Sequence, residues 1–198
     1  MQFEDTSFST EVLWDRSKEI IQEDYHELDL LLCKLGSPKP CLIWNPGPEN
    51  LPEDQLACFL EWWNQARSNS FAAPLDAVDP MELRSILGYL AVLDVLDGGE
   101  NFRYRLYGSA IMNEPGRDLT GLLLTDIWTP LRAFFMITYR AVVQRKEPLY
   151  TQHKPHHSLK MQVWDRLILP LSNTGDVDRL IVAIVPSNRK SSSEIDIP

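Results

Sequence analysis

Two hydrophobic periods divide this chain. From Thr10 to Leu35 the apolar residues Leu13, Ile20, Ile21, Tyr25, Leu28, Leu31, Leu32 and Leu35 recur at steps of three, four and seven, with acids in most gaps. That spacing predicts one amphipathic helix over 10–35, capped by Thr10 and closed by Gly36 and Pro38. A second helix is expected from Glu53 to Asn69, with Leu56, Phe59, Leu60 and Trp63 as its stripe and Asn50 with Glu53 as a capping box. Asp79, Pro80 and Glu82 start a short third helix that Gly88 ends. Thr129 and Pro130 open a long one, running to Lys146, whose broad apolar surface needs cover on more than one side.

Elsewhere the period drops to two. Residues 89–96 and 102–107 read as strands joined by the Asp97-Gly98-Gly99 turn. Runs at about 148–155, 160–171 and 178–186 complete the set, the last two joined at Asn173-Thr174-Gly175-Asp176. Antiparallel strands with helices inserted between them predict an α+β layer. Between the first two helices, residues 36–52 hold five of the chain's fourteen prolines and read as an extended linker. The expected organisation is therefore a helix and linker over 1–50, a domain over 51–187 and a polar tail over 188–198.

Composition changes this picture in three ways. With 44% hydrophobic residues among 198, a sizeable core is expected. The net charge of −9 is concentrated in residues 1–35, where nine acids face three bases. An acidic chain without a basic stripe argues against nucleic acid and anionic membrane surfaces as partners. No uninterrupted apolar stretch suggests a membrane span, and the N-terminus does not read as a secretory signal, so a cytoplasmic protein is expected. Cys33, Cys41 and Cys58 are odd in number and widely spaced, which points to reduced, buried structural cysteines rather than disulfides or zinc.

Several motifs occur in a particular order: LACFLEWWNQAR, the DP-x-E-x-R-x-IL turn of 79–87, FRYRLYG over 102–108, GRDLTG over 116–121, and R-x-x-LPL from Arg166 to Leu171. Together they resemble the stand-alone PAS-domain family of proteobacteria, formerly a domain of unknown function, over roughly 55–186. The resemblance implies a five-stranded antiparallel sheet with its helices on one face, here with an N-terminal helical extension. It also implies a sensing or interaction module rather than an enzyme.

Chemistry-bearing patterns are sparse. No GxSxG, P-loop or GxGxxG is present, and no nucleophile, base and oxyanion donor converge, so no catalytic residue is assigned. His153, His156 and His157 cluster near a strand end and read as surface or loop histidines; no metal site is assigned. Haem-binding PAS domains generally use a histidine on the long helix, which has none here, and the flavin photosensor cysteine is missing from NEPGRDLTG. No cofactor is therefore expected, with haem and flavin disfavoured.

PAS cores often leave a cavity between the sheet and the long helix. On strand phase, Tyr104, Leu106, Ile111, Met112, Phe135, Tyr139, Leu169 and Ala183 are its candidate lining, with tyrosine hydroxyls as polar tips for a small organic ligand. A filled aromatic core is the alternative. The 178–186 strand is apolar on both faces and so needs cover on both. The helices are expected over one face. Over the other, the N-terminal helix is expected to lay Leu13, Ile20, Leu28, Leu31 and Leu35, a second subunit is expected to pack, or both, with Arg103 and Arg105 meeting the acidic helix. The favoured function is a non-catalytic signalling module acting through protein-protein contacts, as a homodimer and on a separate signalling partner. A small-molecule sensor is the alternative, and an enzyme the least supported.

Overall fold

The structure, a computed structural model, describes residues 8–112, 117–154 and 163–187. Six strands form one antiparallel sheet in the order β1-β4-β5-β6-β2-β3. They are β1 (Cys41–Trp44), β2 (Leu90–Leu96), β3 (Asn101–Tyr107), β4 (Leu149–His153), β5 (Trp164–Leu171) and β6 (Arg179–Pro186). The helices are α1 (Thr10–Ile21), α2 (His26–Lys34), α3 (Asp54–Arg67), α4 (Ser109–Met112) and α5 (Arg132–Arg145). The α+β class and the five strands of 89–186 are as expected. The sixth, β1, comes from within the proline-rich segment: CLIW pairs with β4, Ile43 facing Tyr150 in register. Four residues between prolines carry little strand signal of their own, and pairing along the sheet edge supplies the backbone partners they need.

The helix expected over 10–35 is broken in two. Glu23 adopts φ 63°, a left-handed conformation no helix tolerates, and the Asp24 carboxylate accepts the His26 backbone N–H to start α2. Ser9, not Thr10, caps α1, its Oγ accepting Val12 N–H at 3.3 Å. Asn50 serves a local turn, its Oδ1 accepting from Gly47 N–H, while α3 begins without a side-chain cap. Residues 80–88 make turns, ending in a 3-10 turn at Leu87–Tyr89, rather than a helix. All three cysteines are exposed, because each falls on the solvent side of its element.

Helices cover both sheet faces rather than one. On one face α3 buries Leu56, Phe59, Leu60 and Trp63 against Leu167, Leu169, Leu171, Ile181, Ala183 and Val185. On the other, α5 sets Met136, Tyr139, Val142 and Val143 against Ala91, Leu93, Ile168, Leu180 and Val182. The two-faced apolarity of β6 is thus satisfied by helices of the same chain.

The N-terminal helices do not lie on the sheet. Leu28, Leu31 and Leu32 with Ile20 pack on the far side of α5, against Leu131, Phe134, Ile137 and Ala141, with Leu13 and Leu35 at the margin. The broad apolar surface of α5 required such cover. Two arginines of α5 hold α1 at its ends. Buried Arg140 donates to the carbonyls of Thr10, Gly99 and Glu100, and its guanidinium lies 4.4 Å from the Trp14 ring centre. Arg145 donates to Ile21 O at 2.8 Å and stacks on Trp44, whose indole N–H reaches Ile20 O. Arg103 and Arg105 therefore do not meet α1. Both are exposed on the edge strand, and Arg105 pairs with Asp94 of β2.

Candidate ligand-binding site

The β4–β5 pairing sets Thr151 opposite Arg166 and His153 opposite Trp164. Side chains alternate along strands, so Leu149, Thr151 and His153 share the α5 face with Arg166 and Ile168. There Arg166 is 1% exposed. Its Nη2 donates to the Tyr139 hydroxyl at 2.5 Å. Its guanidinium carbon lies 4.4 Å from the Phe135 ring centre, 5.0 Å from that of Tyr139 and 6.0 Å from that of Phe134. Nε and Nη1 have no hydrogen-bond partner among the described residues, nor do Thr151 Oγ1 and His153 Nδ1 on the same face.

The protonation states follow from burial. His153 packs its ring 5.3 Å from Phe134 and 5.7 Å from Phe135. Desolvation, reinforced by the Arg166 charge, holds its pKa well below the usual histidine value, so it is neutral. Tyr104 is pushed well above the usual phenol value by burial and by Tyr139 beside it; burial raises Tyr107 as well. The phenols stay protonated, and the guanidinium, which cannot lose its proton, is the positive charge of the cluster. Asp165, next along β5, points to the other face, where Oδ1 accepts from Tyr150 Oη at 2.6 Å and Gln152 Nε2 at 2.9 Å. It satisfies none of the arginine's N–H groups, and its own Oδ2 has no partner among the described residues.

The candidate cavity residues divide. Tyr104, Ile111 and Tyr139 are buried together on the α5 face, with Phe135 half-buried against them and Met112 half-buried on α4. Leu169 and Ala183 lie on the opposite face, under α3. Leu106 is exposed: Val92 pairs with Leu106 but Leu93 with Tyr104, so Arg105 is an extra residue that reverses the strand's phase. Tyr107 takes the inward place instead, its ring 5.5 Å from that of Tyr104. His153 is 6% exposed rather than a surface residue, because β4 extends to it; His156 and His157 lie outside the described residues. Of the interface candidates, Ile20, Leu28 and Leu31 are buried within the chain. Arg166 was legible only as part of a motif. Its chemical signal was the pair Asp165-Arg166 inside the apolar run WDRLILPL.

A family model described as PAS domain matches residues 53–185, from the start of α3 to the end of β6. The chain belongs to the PAS domain family. No curated protein and no solved structure matches it. As a PAS domain it falls among modules that generally serve signalling or sensing. In this PAS domain α1, α2 and β1 precede the matched region, and no helix among the described residues is long and apolar enough to cross a membrane.

Proposed function

We propose that this PAS domain is a small-molecule sensor whose ligand sits beside Arg166 on the α5 face of the sheet. The carrying observation is the buried guanidinium with N–H groups left unpaired. Leaving a charged donor buried and unsatisfied costs several kcal/mol, so such a group is kept where a ligand supplies the partner. The sensor reading ranks above a homodimeric interaction module because both sheet faces are covered by helices of the same chain.

Output passes through α5. Tyr139 touches Arg166, while its neighbour Arg140 holds the start of α1 and the turn after β2. A ligand that shifts Tyr139 shifts the helix on which α1 and α2 are docked, and so changes the surface shown to a signalling partner. Native mass spectrometry of the protein as purified, with organic extraction of the same sample, tests the reading. A bound small molecule is expected in the wild type and absent from Arg166→Met. A bare wild-type protein, with a melting temperature that no compound of a small-metabolite library moves, contradicts it.

A further inference from the structure

We propose that the ligand is a small organic monocarboxylate whose carboxylate pairs with Arg166. This rests on the sensor reading and narrows it to a chemical class. Three observations carry it.

The first is charge. Arg166 is permanently cationic and buried, and among the described residues its one side-chain hydrogen bond goes to the Tyr139 hydroxyl. The rings of Phe135 and Tyr139 attract the guanidinium through their faces but cannot accept Nε–H or Nη1–H in its plane. An oxyanion does both jobs, neutralising the charge and accepting those protons.

The second is charge count. His153 is neutral and Tyr104 and Tyr107 keep their protons, so Arg166 is the one cation of the cluster among the described residues. A monoanion adds one negative charge where Asp165 already lies beside Arg166 along β5, whereas a phosphate dianion adds two.

The third is the aromatic surroundings. Phe134, Phe135 and Tyr139 flank the guanidinium with aromatic surface, which suits an organic body behind the carboxylate. Thr151 Oγ1, a donor or acceptor, and His153 Nδ1 supply further unpaired polar atoms on the same face. Thr151 sits directly opposite Arg166 in the β4–β5 register.

Thermal denaturation of the full chain at about pH 7 and fixed ionic strength tests the class, with benzoate, butyrate, benzamide, butyramide and inorganic phosphate as probes. Benzoate or butyrate is expected to raise the melting temperature saturably, the matching amides and phosphate to have no saturable effect. Arg166→Met is expected to weaken the acid response by about tenfold or more. On the wild type, the Arg166 Nε–H resonance is expected to move with benzoate, a readout that does not depend on the variant folding. Amides as effective as acids, or phosphate more effective than either, overturn the carboxylate while leaving the sensor reading intact. So does a neutral compound found bound by native mass spectrometry. An acid response retained in Arg166→Met, or an Arg166 resonance that benzoate does not move, also overturns the proposal. No response to any acid, with no molecule bound as purified, overturns both readings.

Discussion

Asp165 and Arg166 are consecutive residues of β5, both fully buried, and they point to opposite faces of the sheet. Asp165 keeps one oxygen on Tyr150 and Gln152, whereas Arg166 keeps one nitrogen on Tyr139. The two charges are thus solvated unequally. The carboxylate has two protein donors, both on Oδ1, with Oδ2 unpaired among the described residues, while the guanidinium has ring faces and one phenol, with Nε and Nη1 unpaired.

That imbalance predicts the sign of a substitution. A buried charge without a full set of hydrogen-bond partners destabilises the folded state, and an apolar side chain of similar volume removes that cost. Arg166→Met is expected to leave the ligand-free protein as stable or more stable in urea denaturation. A loss of stability would mean that the arginine holds the fold rather than waits for an anion.

His153 gives a pH dependence. Its folded pKa is depressed, so below about pH 6.5 the unfolded chain takes up a proton that the folded chain refuses. Stability therefore falls as pH drops through that value and the loss continues down to the folded pKa. His153→Phe removes this contribution. Urea midpoints for both proteins at about pH 7.5 and 5.5 check it: the wild type should lose more on acidification than the variant. Equal losses would place a freely titrating histidine at 153.

The clamp on α1 should be separable from the sheet. Arg140 donates to Thr10, Gly99 and Glu100 carbonyls, and charge-assisted bonds of this kind are each worth about 1.5–3 kcal/mol. Arg140→Met is expected to raise amide exchange in 10–21 well before β5 and β6 lose protection. Uniform loss across all elements would show that α1 and the sheet open as one unit.

Leu169 tests the face assignment. It is fully buried under α3, so Leu169→Ala should cost about 2–5 kcal/mol in a denaturation experiment. The loss should be shared by Phe59→Ala on α3. A neutral Leu169→Ala would place the residue away from α3.

Periodicity made the main elements readable. β2, β3, β6 and α5 fall close to their expected limits, because alternating or helical stripes with turn glycines leave few other folds, although Leu131 rather than Thr129 stands at the N-cap of α5. Face assignment was not readable for β5. Its eight residues are buried on both sides, and β6 is apolar on both faces, so alternation carries no phase for Leu169 on β5 or Ala183 on β6, and both lie on the α3 face rather than the expected one. Leu106 failed for a different reason: the extra residue at Arg105 depends on pairing with β2, which no local pattern reports. The break at Glu23 and the strand CLIW depend likewise on long-range contacts, with α5 and with β4. The candidate site was half legible. Tyr104 and Tyr139 follow from strand and helix phase, whereas Arg166 and His153 show their meaning only when β4, β5 and α5 are brought together.

The most direct test is the electron density of crystals of the full chain grown with benzoate. Density for the acid is expected on the α5 face, with a carboxylate oxygen at about 2.7–2.9 Å from Arg166 Nη1 or Nε. Benzoate bound elsewhere, or Arg166 keeping Tyr139 as its one hydrogen-bond partner in the presence of the acid, would contradict the account.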